Sequence, residues 1–99
     1  MYASMLTINL GPGMRSAAEK LVEQFAPAMK TMKGFKGVTF LADDTTGEYV
    51  SLTLWESKED REAAIAVLDP KLKQATLVIS RILKGAPTRK LFEVYETKG

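Results

Sequence analysis

This 99-residue sequence predicts the element order β-α-β-β-α-β, with one four-stranded antiparallel sheet backed on a single face by two helices. Three observations carry that reading. Several segments alternate apolar and polar residues with the period of a strand. Two intervening stretches place apolar residues at three- and four-residue spacings, as a helix requires. Asp43-Asp44-Thr45-Thr46-Gly47 is a turn cluster so short that the strands on either side form an antiparallel hairpin.

The elements follow in order. From Ala3 to Leu10, Leu6, Ile8 and Leu10 fall on one face and Met5, Thr7 and Asn9 on the other; Gly11-Pro12-Gly13 ends the strand. Ala18, Leu21, Val22, Phe25, Met29 and Met32 form a helical stripe, with Ser16 as N-cap and Glu19 as its capping-box partner. Pro27 is expected to kink or restart this helix, and Gly34 to stop it. Val38, Phe40 and Ala42 alternate with Thr39 and Leu41 in the second strand. Gly47 suits the positive φ of the turn, and the third strand alternates Val50, Leu52 and Leu54 with Tyr49, Ser51, Thr53 and Trp55. Ser57, with Asp60 three residues on, starts a second helix carrying Ala64, Val67 and Leu68. Asp69-Pro70 reads as a fresh N-cap and first turn, after which Leu72, Ala75, Thr76, Ile79, Ile82 and Leu83 continue to Gly85. Beyond Pro87, Lys90 to Thr97 forms the last strand, with Phe92 and Val94 opposite Leu91, Glu93 and Tyr95. This is the split βαβ, ferredoxin-like arrangement, in one domain spanning residues 1–99.

Helices cover one sheet face only. The aliphatic sets (Leu6, Ile8 and Leu10; Val50, Leu52 and Leu54; Phe92 and Val94) are expected beneath them. The other face then collects Met5, Thr7, Asn9, Leu41, Tyr49, Ser51, Thr53, Trp55, Leu91, Glu93 and Tyr95. Large aromatics mixed with small hydroxyls suit a pocket wall or a self-complementary interface better than a solvated surface.

Composition narrows the chemistry. The chain has no cysteine and no histidine, which removes disulfides, thiolate chemistry and the commonest general base and metal ligand. Fourteen basic against twelve acidic residues give a net charge of +2, but the distribution is uneven. Lys71 to Lys90 holds six basic residues and no acidic one, with Arg81 and Arg89 among them. A solvated helix face explains such a run; an anion-attracting rim beside a pocket is the alternative. No interleaved aromatics or recognition motif point to nucleic acid. No apolar run is long enough for a membrane span, and no charged leader precedes an apolar segment, so a cytoplasmic protein is expected. Gly11-Pro12-Gly13 is too short for a phosphate cradle, and its proline lacks a donor.

The stretch Gly34-Phe35-Lys36-Gly37-Val38-Thr39-Phe40-Leu41, a turn, then Glu48 through Trp55 to Asp60, resembles the antibiotic biosynthesis monooxygenase-like family. That resemblance implies pairing of two chains into a dimeric α+β barrel. It also implies a pocket for a small aromatic molecule and oxidation by molecular oxygen without a cofactor or metal. In such an enzyme the substrate's own enolate or phenolate is the reductant. By the same resemblance Asn9 and Trp55 are the candidate catalytic residues, Asn9 holding a substrate or reduced oxygen and Trp55 walling the ring slot. Tyr49, Thr53, Tyr95, Glu93 and Leu41 are the candidate substrate-binding residues, with Glu93 a possible proton acceptor. Each has a plainer role open to it: Trp55 a dimer-core anchor, Asn9 a satisfied strand polar group, the tyrosines interface residues and Glu93 a rim ion pair. The family's haem-degrading branch uses an axial histidine on the second helix, which this chain lacks. A non-catalytic dimeric binding or scaffold protein is the alternative reading.

Overall fold

The computed structural model describes residues 1–99 and contains β1 (Tyr2–Asn9), α1 (Arg15–Lys30), β2 (Phe35–Asp43), β3 (Glu48–Trp55), α2 (Lys58–Val78) and β4 (Thr88–Glu93). The sheet order is β2-β3-β1-β4, antiparallel throughout. Both helices lie on one face, so the ferredoxin-like arrangement stands. No helix is long and apolar enough to cross a membrane.

Local chemistry explains the boundaries. The Asp43 carboxylate accepts the N–H groups of Thr45 and Thr46 at 3.0 and 3.2 Å, and Gly47 closes the turn at φ 80°. The Ser57 hydroxyl accepts the Asp60 N–H at 3.1 Å, with Glu59 and Asp60 in the first turn of α2. At α1 the expected cap is displaced. Met14 occupies the N-cap position without a side-chain hydrogen bond, and Ser16 lies inside the helix. Two further expectations fail for one reason. α1 runs through Pro27, and α2 runs through Pro70 without restarting at Asp69. Each proline removes one helical hydrogen bond, but both sit on the exposed side, where water satisfies the freed carbonyl. The inward stripe Arg61, Ala64, Leu68, Leu72, Ala75 keeps its helical phase across Pro70, whereas Val67 is exposed. α2 ends at Val78, and Ile79, Ile82 and Leu83 continue the packing from the turns that follow.

The larger correction concerns the sheet faces. In the register, Trp55 lies beside Tyr2, Thr53 beside Ser4, Ser51 beside Leu6 and Tyr49 beside Ile8. Tyr49, Thr53 and Trp55 are therefore on the helix side with Ile8, all buried. Val50, Leu52 and Leu54 are on the open side with Met5, Thr7 and Asn9. β4 is reversed in the same way: Leu91 pairs with Ser4 and Glu93 with Tyr2, while Phe92 lies beside Ala3 on the open face. One core cluster joins Trp55 to Phe25 and Met29 of α1 and to Ala64, Leu68 and Ala75 of α2. A second joins Ile8, Leu10, Ala18 and Tyr49. Burial drives this choice. An indole offers more apolar area than a valine or leucine, and only the helix side can cover it completely.

Candidate functional site

A cavity of about 170 Å³ lies between the helix-side face of the sheet and both helices. Trp55, Thr53, Ser51 and Tyr49 form its β3 wall, α1 contributes Leu21 and Phe25, and α2 contributes Leu68 and Leu72. Its size is close to that of the ~150 Å³ apolar cavity that accepts benzene in an engineered protein, so it holds one aromatic ring as it stands and a larger fused system only if lining side chains move.

Trp55 is 1% exposed. Its ring meets Phe35 edge-on at 5.6 Å and 76°. The indole N–H donates to Thr53 Oγ1 at 2.9 Å, and the Thr53 hydroxyl donates to the Ser4 carbonyl at 3.3 Å. The Trp55 N–H is thus held within the protein, and the packed indole fixes the shape of the wall. Ser51, which alternates to the same side as Trp55, brings a hydroxyl to the wall. Its spacing from Trp55, four residues along one strand face, was legible in the sequence, although the hydroxyl was not singled out there.

Charges border the two ends. Arg15 and Asp44 form an ion pair at 2.7 Å, and the Asp44 carboxyl, hydrogen-bonded by that guanidinium, is held below the usual carboxylate range. The Tyr49 hydroxyl donates to Asp44 at 3.3 Å; burial, reinforced by that carboxylate, pushes the phenol above its ordinary value. Tyr49 therefore stays protonated through and beyond the neutral range. Elsewhere on the cavity wall, Arg89 donates to Ser4 Oγ and to Asp69 Oδ1, each at 2.6 Å.

The structure brings together Tyr49, Thr53 and Trp55; Leu41, expected on their face, pairs with Val50 on the open side and reaches only the cavity's rim at the β2 edge. It does not bring Asn9, Glu93 or Tyr95 to it. Asn9 lies on the open side, as its strand parity required, and its Oδ1 accepts the Gly11 N–H at 2.9 Å. Glu93, at the end of β4, is exposed, and Tyr95 lies beyond that strand and is 93% exposed. No three acidic side chains converge as a metal-binding group would.

A family model for antibiotic biosynthesis monooxygenases matches residues 1–65. The chain belongs to this family. The matched region includes β1 through Trp55 and the start of α2, so it holds most of the cavity wall. Several solved structures share the fold of this antibiotic biosynthesis monooxygenase family member. The monooxygenase from gene ActVA-Orf6 of Streptomyces coelicolor, in complex with the ligand nanaomycin D, is 18% identical, with a TM-score of 0.75 over 98% of this chain and 89% of that one. SnoaB, a cofactor-independent oxygenase from Streptomyces nogalater, is 18% identical, with a TM-score of 0.71 over 97% of this chain and 95% of that one. A protein of unknown function from Nitrosomonas europaea is 14% identical, with a TM-score of 0.74 over 98% and 91%. No curated protein matches the chain significantly. At these identities the likeness is one of fold, on which different activities can sit.

Proposed function

We propose that the protein is a cofactor-independent monooxygenase that oxidises a small, electron-rich aromatic of the phenol, anthrone or quinol type. The observation that carries this reading is the cavity itself: an aromatic and aliphatic slot of about 170 Å³, walled by Trp55 and Phe25, with the neutral Ser51 hydroxyl on one side. Family membership and the solved oxygenases of the same fold support it.

The chemistry asks little of the protein beyond this. The substrate loses a proton, and its enolate or phenolate gives an electron to O₂. Recombination of the two radicals forms a carbon–oxygen bond, the peroxide anion takes back a proton, and the resulting hydroperoxide loses water to leave a carbonyl. One oxygen atom ends in the product and the other in water, and every electron comes from the substrate. The protein's share is to exclude water, hold the ring flat and stabilise the developing anion. Ser51 is the hydroxyl donor available on the wall, since the single Tyr49 O–H already donates to Asp44. In this reading Trp55 acts by shaping the wall, and Asn9 holds the turn at Gly11 rather than the substrate.

Oxygen uptake with a panel of anthrones and hydroquinones tests the reading. Uptake above the spontaneous rate is expected. Ser51→Ala should lower it by at least about tenfold, a modest loss for a donor to a developing oxyanion. Asn9→Ala should leave it unchanged. Loss in Asn9→Ala with retention in Ser51→Ala would move the chemistry to the open sheet face. Saturable binding of these aromatics without uptake would favour a non-catalytic binding protein.

The same proposal includes a cytoplasmic homodimer closed through the open sheet face. That face carries Met5, Val50, Leu52 and Leu54, with Leu41 51% and Phe92 48% exposed. An apolar face of this kind needs a partner. Because Trp55 belongs to the monomer's interior, the variant that probes dimerisation is Leu52→Arg. It should yield a folded monomer by sedimentation, since an unpaired charge in an interface is strongly unfavourable. A dimer of wild-type stability would place the interface elsewhere.

A further inference from the structure

Arg89 faces two spaces. It lines the cavity, and it also lines an open cleft of about 590 Å³ on the protein's surface, between α2 and the segment leading into β4. Leu6, Leu72 and Arg89 are common to both walls. The cleft therefore lies directly against the cavity, and Arg89 is the one charged side chain on the boundary.

The residues lining the cleft are mostly polar or charged, whereas those lining the cavity are mostly hydrophobic. Asp69, Lys73 and Thr76 of α2 form one side and Pro87 and Arg89 the other. Of the six basic residues between Lys71 and Lys90, Lys73 and Arg89 line it. Asp69 is the only carboxylate on its wall, and Arg89 already holds it. That ion pair is replaceable. The Asp69 side chain is 50% exposed, so water can take over its solvation when the guanidinium is given to another anion. The second Arg89 bond, to the Ser4 hydroxyl, keeps the guanidinium at the boundary.

We propose that the substrate is an aromatic acid: a ring that enters the cavity and a carboxylate that takes the place of Asp69 on Arg89, with Lys73 and its neighbours drawing the anion into the cleft. This deepens the proposed oxygenase reading and rests on it. The physical basis is the bidentate match between guanidinium and carboxylate, together with the excess of Lys73 and Arg89 over Asp69 on the cleft wall. The arrangement also separates charge from chemistry. The carboxylate stays at the wet boundary, while the oxidisable ring sits among Trp55, Phe25 and Ser51.

Binding of two probes that differ only by a carboxylate tests it: hydroquinone and 2,5-dihydroxybenzoate. Each is a single ring of the size the cavity admits. Trp55, the only tryptophan, reports occupancy by fluorescence quenching, with calorimetry as the second readout. The wild-type protein should bind the acid at least tenfold more tightly than hydroquinone, and added salt should reduce that preference. Arg89→Gln should abolish the preference while hydroquinone affinity stays within about twofold. Lys73→Gln should slow association of the acid alone. Equal affinities in the wild type, or a preference that survives Arg89→Gln, would overturn the proposal and leave the cavity reading intact. Failure of both probes to bind would overturn both. Because the wild-type comparison stands alone, a poorly folding Arg89 variant does not suspend the test.

Discussion

Replacing Trp55 with alanine is expected to lower folding stability by about 3–5 kcal/mol, the range for deleting a large aromatic from a packed core. Trp55 is 1% exposed and shares one core cluster with Phe25 and Met29 of α1 and Ala64 and Leu68 of α2. Its loss removes the edge-on contact with Phe35 and leaves the Thr53 hydroxyl without its indole donor. A domain of this size holds only about 5–15 kcal/mol in all, so the variant should be near the limit of folding. Urea unfolding followed by circular dichroism measures the effect, since the variant has no tryptophan to report by fluorescence. Trp55→Phe should lose considerably less, because most of the buried area remains. A loss below about 1 kcal/mol in Trp55→Ala would show that the indole is not beneath the helices at all.

Gly47→Ala carries the second large effect, an expected loss of more than about 2 kcal/mol, and for a different reason. Gly47 sits at φ 80°, where a side chain is unfavourable, and a methyl group there would overlap the backbone of Gly11. That approach is fixed from several directions. The Leu10 N–H donates to the Gly47 carbonyl at 2.9 Å, and the Gly47 N–H donates to the Asp43 carbonyl at 2.7 Å. Backbone held by hydrogen bonds cannot move aside as a flexible side chain can. Gly85→Ala is the control: its φ of 89° is similar, but nothing lies within 4 Å of an added methyl. It should show only the conformational cost, about 1–2 kcal/mol. Equal losses in the two variants would mean that the contact with Gly11 contributes nothing.

The two sites are linked through the cavity. The hairpin turn that Gly47 closes also carries Asp44, which orders Arg15 and the Tyr49 hydroxyl at the cavity's edge. Trp55 at the far end of β3 is both wall and keystone. An activity loss in either variant must therefore be judged against its remaining folded fraction, which is why Ser51→Ala, on a half-buried hydroxyl, is the cleaner probe of chemistry.

The order of elements was legible in the sequence because it depends on local matters. Alternation marked the strands, Asp43 to Gly47 marked the hairpin, and Ser57 with Asp60 marked the start of α2. The prolines misled only where local rules stop short: a solvent-facing proline in a helix already packed on its other side costs one hydrogen bond, not the helix. The candidate site was half legible. Tyr49, Thr53 and Trp55 were correctly grouped on one strand face, since parity is fixed by the backbone. Parity cannot say which of two apolar faces turns toward the helices. In β3 the sets Tyr49–Trp55 and Val50–Leu54 are both apolar enough to be buried, and the pattern alone favoured the aliphatic one. The tertiary structure decided otherwise, because pairing Trp55 with Tyr2 and Tyr49 with Ile8 commits the aromatics to the side that β1 already buries. Arg89 shows the same limit. The sequence placed it in a basic run, but only the pairing of β4 with β1 and the ion pair to Asp69 of α2 set it between the cleft and the cavity.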